Sequence, residues 1–536
     1  MSESADTAAA IAAGRAVLGI ELGSTRIKAV LVDEAGLAIA GGSHEWANRL
    51  VDGVWTYDLA DVEAGLRSCY ADLSRTVRET HGVELTRIAG LGISAMMHGY
   101  LAFDAEGAQL TAFRTWRNTS TGQASRQLTE AFGYNIPQRW SIAHLYQAIL
   151  NGEEHVGRVA RITTLAGWVH GRLTGRHVLG VGDASGMFPI DPATGTYDTS
   201  MLATFGDLVA DRGFDWRLAD ILPRVLTAGE GAGELTAEGA HLLDPTGTLQ
   251  PGAPLCPPEG DAGTGMVATN SLRPRTGNVS AGTSIFAMVV LEGPLKKVHE
   301  ELDMVTTPDG APVAMAHCNN GTSDLDAWVG LLDETLRIGG VELDRTELFV
   351  RLFGAALEGD PDAGGVVAYN YLSGEPITAT TEGRPLLLRS PNARFSLANL
   401  MRAHLYAVFG TLRLGMDILL TDEGVGLDSL YAHGGLFKTA GVAQRFLAAS
   451  LDTPVTVGEL AGEGGAWGMA LLAAYASVSD RGETLPDWLD RVVFDGADLS
   501  TLAPRPEDVA GFEAYLTRYG AGLAAERAAA EAHELR

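Results

Sequence analysis

A carboxylate set among small residues is the first candidate for chemistry. Asp261 lies in the segment Glu259-Gly260-Asp261-Ala262-Gly263-Thr264-Gly265, where small neighbours leave space around its side chain. Phosphoryl transfer to an alcohol needs such a group to accept the hydroxyl proton while the oxygen attacks. An aspartate that caps the next helix has the same local sequence. The segment therefore predicts either a general base or a helix cap.

Two short turns are candidates for binding phosphate. Leu22-Gly23-Ser24-Thr25 and Ala281-Gly282-Thr283-Ser284 each join two apolar runs. Backbone N–H groups and hydroxyls in such a turn suit phosphate oxygens. One turn alone is also typical of an ordinary hairpin, whereas two turns could hold one polyphosphate between them.

Glycines precede two helical runs late in the chain. His433-Gly434-Gly435-Leu436-Phe437-Lys438-Thr439 comes before an apolar run at 442–451, and Gly464-Gly465 opens another. Glycines at the start of a helix let the backbone approach a flat ring or a phosphate. Close packing of helices through small residues is the alternative.

A third group of side chains has the chemistry of a carbohydrate site. Met96-Met97-His98-Gly99-Tyr100 supplies an imidazole, and Phe113-Arg114-Thr115-Trp116-Arg117-Asn118-Thr119 supplies an indole, a guanidinium and an amide. An indole packs on C–H faces while polar groups hydrogen-bond hydroxyls. A histidine beside two methionines is also typical of a protein core.

The elements that must position these residues predict an α/β protein. Apolar runs at 17–20 and 27–32 flank the first turn, and another at 88–93 ends at Ser94. Helical spacing places five apolar residues on one face, and mixed helices and strands indicate an α/β fold. These residues are Val62, Leu66, Tyr70, Leu73 and Val77.

The strand–turn–strand pattern recurs at 277–290, which indicates a weak internal duplication and two similar domains. A proline-rich stretch precedes the second copy, so we expect a boundary near 272–276. The predicted organisation is a disordered N-terminus at 1–16, an N-terminal domain with the sugar site at 17–272, a C-terminal ATP-binding domain at 277–480, and a C-terminal helical extension at 481–536.

Composition narrows the function. The 536 residues carry a formal net charge of −28, which opposes binding to nucleic acid or to anionic membranes. Three scattered cysteines build no disulfide framework, and no long apolar run or signal-like start is present. We therefore expect a cytoplasmic protein with a small-molecule ligand, no nucleic acid and no membrane partner. The oligomeric state stays open, a homodimer included.

The order of these motifs resembles the FGGY family of carbohydrate kinases, in the wider group that includes actin and the large heat-shock ATPases. The matching segments, over roughly residues 17–480, are Leu22-Gly23-Ser24-Thr25, Gly260-Asp261-Ala262, Gly282-Thr283-Ser284, Leu372-Ser373-Gly374-Glu375-Pro376 and Gly434-Gly435. Met97-His98-Gly99 is similar to the sugar-binding segment of xylulokinases, and the wider set resembles an L-ribulokinase branch.

The resemblance implies two ribonuclease-H-like α/β domains with a cleft between them, and an ATP-dependent kinase acting on L-ribulose or D-xylulose. It implies Asp261 as the catalytic base, and Mg²⁺ held by Glu21 and Asp261 through water. The implied sugar contacts are Met97, His98, Trp116, Arg117, Asn118 and Asp261. The implied ATP contacts are Gly23, Ser24, Thr25, Lys28, Gly282, Thr283, Ser284, Gly434, Gly435 and Thr439.

Two positions depart from the family pattern. Glu21 stands where the family usually has aspartate, and its extra methylene changes how a hydrated magnesium ion would be held. Arg117-Asn118 stands where xylulokinases usually show an aspartate after the tryptophan, which weakens the assignment of D-xylulose. An ATPase of the same build without a sugar acceptor is the alternative function.

Overall fold

The computed structural model describes residues 2–458, 464–479 and 482–532, and the chain divides into two compact units. The first comprises residues 1–272, 304–313 and 463–497. The second comprises residues 273–303, 314–462 and 498–536.

A five-stranded sheet organises the first unit, in the order β5-β4-β1-β2-β3. Strands β1 to β3 are antiparallel neighbours, while β1 pairs in parallel with β4 and β4 with β5. The strands are β1 (Val17–Leu22), β2 (Arg26–Val32), β3 (Ala38–Glu45), β4 (Gly90–Ala95) and β5 (Glu259–Gly260). The glycine turn of the first motif thus joins β1 to β2, and Asp261 follows β5.

Helices cover this sheet through apolar faces. Leu59–His81 begins at Asp58, whose side chain accepts a hydrogen bond from the Ala60 backbone, and it buries Val62 and Leu66 as predicted. Gly464–Ala476 packs on β1, where a Cβ at Gly19 would overlap the Ala466 carbonyl. The other helices are Ser2–Ala12, Gly122–Phe132, Ser141–Asn151, Leu165–Thr174, Val181–Ser185, Thr199–Val209, Leu218–Ile221, Ala237–Leu243, Asp261–Ala268 and Leu485–Val492, with 3-10 turns at Glu154–Arg158 and Ala210–Arg212.

Short strand pairs complete the first unit. They are Arg49–Val51 with Val54–Thr56, Leu101–Phe103 with Arg161–Thr163, Val178–Gly180 with Arg224–Leu226, and Ile190–Asp191 with Thr196–Tyr197.

A seven-stranded sheet organises the second unit, in the order β8-β9-β7-β6-β10-β11-β12. Its strands are β6 (Thr276–Ala281), β7 (Ile285–Val290), β8 (Leu302–Thr306), β9 (Pro312–Cys318), β10 (Ser429–His433), β11 (Val455–Gly458) and β12 (Leu499–Leu502). Residues 304–313, with the connection between β8 and β9, are counted with the first unit.

The two sheets share a topology. In each, an antiparallel hairpin (β1–β2 or β6–β7) is followed by two strands added in parallel to the hairpin's first strand (β4 and β5, or β10 and β11). The strand orders β3-β2-β1-β4-β5 and β9-β7-β6-β10-β11 therefore correspond. This repeated order agrees with the predicted α/β fold of two similar domains.

A buried helix, Leu397–Asp417, lies at the centre of the second unit and continues as a π-helical segment, Ile418–Glu423. By length and composition Leu397–Glu423 could cross a membrane, but 72% of its most apolar window is buried, as in the core of a globular domain. The remaining elements are Ser323–Ile338, Arg345–Leu357, Ala363–Gly365, Val366–Tyr369, Pro376–Thr378, Leu386–Arg389, Gly435–Lys438, Val442–Leu451 and Pro506–Ala532.

The chain ends differ from the predicted organisation. Within the segment expected to be disordered, residues 2–12 form a helix, because an alanine-rich segment favours helix and Ile11 joins the core. Helices 464–476 and 485–492 belong to the first unit, whereas they were expected in the ATP-binding domain and the extension. Strand β12 and the helix Pro506–Ala532 belong to the second unit. Residues 1, 459–463, 480–481 and 533–536 of the predicted ranges lie outside the described residues.

Candidate active site

Asp261 is the first residue of the helix Asp261–Ala268, directly after β5. Its Oδ1 atom accepts hydrogen bonds from the backbone N–H groups of Met97 (3.2 Å) and Ala262 (3.0 Å). Burial raises the pKa of the Asp261 carboxyl above its usual value, and these hydrogen bonds oppose the shift. One oxygen is thus fixed by the backbone, and the side chain is held in place as a base requires.

Glu21, the predicted metal-binding residue, lies near Asp261. It pairs across the sheet with Lys28 on β2, and the two carboxylates interact electrostatically. Burial raises the pKa of Glu21 to about 7, with Asp261 adding to the increase and Lys28 opposing it. Gly465 is required beside it, because a Cβ there would lie 2.5 Å from Glu21 Oε1.

These carboxylates fit a hydrated magnesium ion. Mg²⁺ usually binds through one or two carboxylates together with water and substrate phosphates. In residues 2–458, 464–479 and 482–532, no group of three or more acidic, histidine or cysteine side chains could hold a metal by itself. Glu21 and Asp261 are two carboxylates of the kind that Mg²⁺ binds together with phosphates.

Met97 and His98 lie at the start of the loop after β4. The Met97 side chain is buried between Gly260 and Gly186, so its contribution next to Asp261 is its backbone N–H. His98 has a φ of 69°, is 5% exposed, and its Nδ1 lies 3.2 Å from the carbonyl oxygen of Gly186. Because a carbonyl oxygen only accepts, this contact indicates that Nδ1 carries the proton. The ring also stacks on Trp140 at 6.3 Å.

The second predicted sugar segment has mixed roles. Trp116 is 37% exposed, and the Arg117 guanidinium stacks over the Trp55 ring at 3.9 Å. Asn118 is buried, and its amide accepts from the Trp55 N–H and donates to the carbonyls of Trp55 and Thr115. These contacts give Asn118 a structural role, and none of them favours the expected contact with a sugar.

The carbonyl oxygens of the first glycine turn accept hydrogen bonds from two aromatic residues. Trp46 donates from Nε1 to Gly23 O (2.7 Å) and from its backbone N–H to Thr25 O, and the Tyr57 hydroxyl donates to Ser24 O (2.6 Å). Trp46 and Tyr57 stack on each other with centroids 4.3 Å apart. The carbonyls are therefore engaged within the unit and do not face an approaching anion.

The second turn, in the other unit, is supported in a comparable way. Thr283 O accepts from the Gly321 N–H (2.8 Å), and Gly282 O accepts from the Thr322 N–H and hydroxyl. Gly321 must be glycine, because a Cβ there would overlap Gly282 O. Gly282 and Thr283 are both exposed.

Glu375, from the segment that resembles the family, supports the second turn through Asn320, the neighbour of Gly321. It is buried and accepts hydrogen bonds from the Asn320 N–H and side-chain amide. Asn370 donates to the carbonyls of Asn320 and Gly321. Burial raises the pKa of Glu375 to about 7, and its hydrogen bonds to Asn320 oppose the shift.

The glycines predicted for the adenosine side follow β10. Gly434 has a φ of 110°, and a Cβ there would overlap the carbonyl of Ala281, the last residue of β6. A Cβ at Gly435 would meet no atom of the described residues within 4 Å, which leaves space for a flat ring. Thr439 follows the short 3-10 turn Gly435–Lys438 and is partly exposed.

Two buried carboxyl groups near Asp261 were not predicted as functional. Glu259 accepts from the backbone N–H groups of Gly182 (3.2 Å) and Asp183 (2.8 Å). Asp183 accepts from the Thr164 hydroxyl (2.6 Å). Burial raises the pKa of Glu259 to about 8, with Asp183 adding to the shift, and raises the pKa of Asp183 to about 7. Gly180 and Gly182 leave room for the Glu259 carboxylate, which a Cβ at either position would overlap, but nothing in the sequence links these glycines to Glu259.

Comparison with known proteins places the chain among carbohydrate kinases. The N-terminal domain of the FGGY family of carbohydrate kinases matches residues 16–246, and the C-terminal domain of that family matches residues 277–477. A xylulose kinase of Klebsiella pneumoniae is 24% identical over 419 residues, which cover 75% of this chain and 78% of that protein.

Solved structures share the fold. A xylulose kinase from Lactobacillus acidophilus has a TM-score of 0.77 at 17% identity, covering 95% of this chain and 99% of that one. A glycerol kinase from Plasmodium falciparum, solved with ADP, has a TM-score of 0.74 at 16% identity, covering 96% and 98%. Because both family domains match in chain order, the expected resemblance is confirmed: the chain belongs to the FGGY family of carbohydrate kinases.

Proposed function

We propose that this carbohydrate kinase transfers the γ-phosphoryl group of ATP to a primary hydroxyl of a ketopentose, L-ribulose or D-xylulose. The observation that carries the proposal is Asp261, whose Oδ1 is fixed by two backbone N–H groups next to the Met97-His98 loop. Xylulose kinases among the relatives support a ketopentose. The glycerol kinase among the structural relatives makes the acceptor the first point to test.

In the proposed reaction, Asp261 accepts the proton of the acceptor hydroxyl as its oxygen attacks the γ-phosphorus. The leaving group is ADP, and the transferred phosphoryl forms a phosphate ester with the sugar. Mg²⁺, when bound, neutralises charge on the phosphates, and Glu21 and Asp261 would hold it. His98 and Trp116 would orient the sugar through polar and C–H contacts.

The two glycine turns are the proposed phosphate contacts. Ser24, Thr25, Thr283 and Ser284 would offer backbone N–H groups and hydroxyls to phosphate oxygens. The N–H groups of Gly23 and Gly282 already donate within the turns, to the carbonyls of Arg26 and Ser284, so these two glycines would contact phosphate by letting it approach the backbone closely. Gly434, Gly435 and Thr439 would contact adenosine, and Lys28 would balance charge near Glu21.

We also propose a cytoplasmic location, since Cys69, Cys256 and Cys318 are all buried free thiols.

The test is an ADP-release assay with L-ribulose, D-ribulose, D-xylulose, L-xylulose and glycerol, scored by kcat/KM. A ketopentose that stimulates ADP release above the sugar-free rate supports the proposal. Asp261→Asn is the control, because sugar-stimulated ADP release should fall in this variant if the transfer takes place at this site. ADP release at one rate with and without every sugar would instead support the ATPase alternative.

A further inference from the structure

The carboxylate of Glu259, on the strand that precedes Asp261, binds the backbone of the neighbouring segment 180–183. Both oxygens accept backbone hydrogen bonds, Oε1 from Gly182 (3.2 Å) and Oε2 from Asp183 (2.8 Å). The Gly180 N–H also donates to the carbonyl of Pro258 (2.8 Å), the residue before Glu259. Residues 258–259, which lead directly into Asp261, are thus pinned to the segment 180–183.

This segment fits the carboxylate closely. A Cβ at Gly180 would overlap Oε1, and a Cβ at Gly182 would overlap Oε2. Glu259 is 1% exposed, so water offers no alternative partner for these N–H groups. A buried N–H group left without an acceptor destabilises the fold, so this contact is costly to break.

The other end of the segment reaches the sugar loop. Gly186 O lies 3.2 Å from Nδ1 of His98, and a Cβ at Gly186 would lie 3.0 Å from the terminal methyl of Met97. Thr306 fastens the segment from a further side, donating to Ser185 Oγ and to the carbonyl of Val181. Residues 180–186 therefore lie between β5, which directly precedes Asp261, and the loop that carries His98.

We propose that Glu259 is a positioning residue for phosphoryl transfer, which fixes the distance between the base Asp261 and the loop at Met97 and His98 that binds the acceptor. This inference rests on the proposed function of Asp261 and adds the residue that sets its alignment. Because Met97 donates its N–H to Asp261, a shift of the 180–186 segment changes the orientation of the base as well as the position of the sugar.

Glu259→Gln tests the link with little change in volume. The amide keeps one acceptor and turns an N–H₂ group toward the second backbone donor, so one hydrogen bond is lost. Misplacing reacting groups by about 1 Å costs about 100-fold in rate. We expect kcat to fall by about 10- to 100-fold, with a smaller change in KM for the sugar because the lost alignment acts mainly in the transition state.

Asp244→Asn is the matched control. Asp244 is a buried carboxylate of the same unit that also accepts two backbone hydrogen bonds, from Thr246 and Leu249. A residue with a purely structural role lowers the melting temperature, so this variant should lose stability while kcat stays at the wild-type value. Ser185→Ala, a milder change within the segment, gives the same direction of effect on kcat if Glu259→Gln fails to fold.

Amide hydrogen exchange of the full-length protein without ligands gives a readout that needs no substrate. Glu259→Gln should speed exchange in peptides covering 180–186, 97–99 and 261–262, whereas Asp244→Asn should change none of them. If wild type phosphorylates no sugar, the proposed function fails and exchange at 97–99 and 261–262 still decides the link. Wild-type kcat in Glu259→Gln and Ser185→Ala, or faster exchange confined to 180–186, would overturn the positioning role.

Discussion

Replacing Asp261 by asparagine removes the proposed base and leaves the local structure in place. Oδ1 accepts the backbone N–H groups of Met97 and Ala262, and the carboxamide oxygen of asparagine can accept both in the same position. What disappears is the charge and the proton-accepting capacity of the second oxygen. The substitution therefore separates catalysis from folding at this position.

The expected magnitude follows from this separation. A positioned general base contributes about 100- to 10,000-fold in rate, which corresponds to about 3–6 kcal/mol of barrier at about 1.4 kcal/mol per decade. Because burial raises the Asp261 pKa, the neutral carboxamide avoids the cost of a buried charge, and the melting temperature should stay level or increase. ATP affinity should hold, with about 2.7 kcal/mol of stabilisation at nucleotide 100-fold above its dissociation constant.

The measurements are kcat by coupled ADP release with the best sugar and melting temperature with and without Mg-ATP. Asp244→Asn serves as the control for removing a buried carboxylate of the same unit away from Asp261. A kcat for Asp261→Asn equal to wild type would remove Asp261 from the role of base, whatever the melting temperature shows.

Three further perturbations follow from the geometry. Burial holds the pKa of Asp183 at about 7 against an ordinary value of 3.8, so the folded state keeps a proton that the unfolded state has lost. The free energy of unfolding should thus fall as pH rises from about 4 to 7, by at most about 1.4 kcal/mol per pH unit from this group. Denaturant titrations at several pH values should show that the unfolding free energy of Asp183→Asn falls less steeply with pH than that of the wild type. Gly465→Ala pushes on Glu21 Oε1 and should raise the Mg²⁺ concentration needed for half-maximal rate; an unchanged Mg²⁺ titration would contradict the assignment of Glu21. Gly434→Ala places a Cβ against the Ala281 carbonyl at a φ of 110°. Calorimetry should show an unfolding free energy lower by about 1–3 kcal/mol, and ATP should bind more weakly.

The elements that carry the motifs could be predicted because their signals are local. The apolar runs at 17–20 and 27–32 correspond to β1 and β2, and the turn between them lies where the glycine and hydroxyl residues place it. The run predicted at 88–93 is the strand Gly90–Ala95, two residues later. Repetition of the strand–turn–strand pattern at 277–290 predicted a second, similar domain, whereas the strand order itself depends on pairings such as β6 with β10, whose partners are far apart in the chain.

The supporting contacts could not be predicted because their partners are distant in sequence. Glu259 is 76 residues from Asp183, and a single glutamate before Gly260 gives no sign of which backbone it binds. Asn320, which occurs in an Asn-x-Thr triplet, forms side-chain hydrogen bonds more than 50 residues away. The helix Gly464–Ala476 packs against β1 because Gly19 leaves room for its backbone, a fit between surfaces that no periodicity encodes.

The two glycine turns are alike in sequence but are supported by different chemistry. In the first unit, the side chains of Trp46 and Tyr57, which follow β3 in the chain, hold the carbonyls of Gly23 and Ser24, and the Trp46 backbone N–H holds that of Thr25. In the second, backbone N–H groups at the start of a helix, Gly321 and Thr322, do so. A duplicated domain that kept its turn only as a hairpin would have no reason to restrain the carbonyls twice by unrelated means. Hydrogen bonds that engage the carbonyl oxygens would favour an anion at the turn, because a carbonyl oxygen repels a phosphate while an N–H group attracts it. Both turns are closed as hairpins, by the Gly23 N–H to Arg26 O and by the Gly282 N–H to Ser284 O, so the restraint on the other carbonyls is the feature that the proposed phosphate binding would require beyond a hairpin.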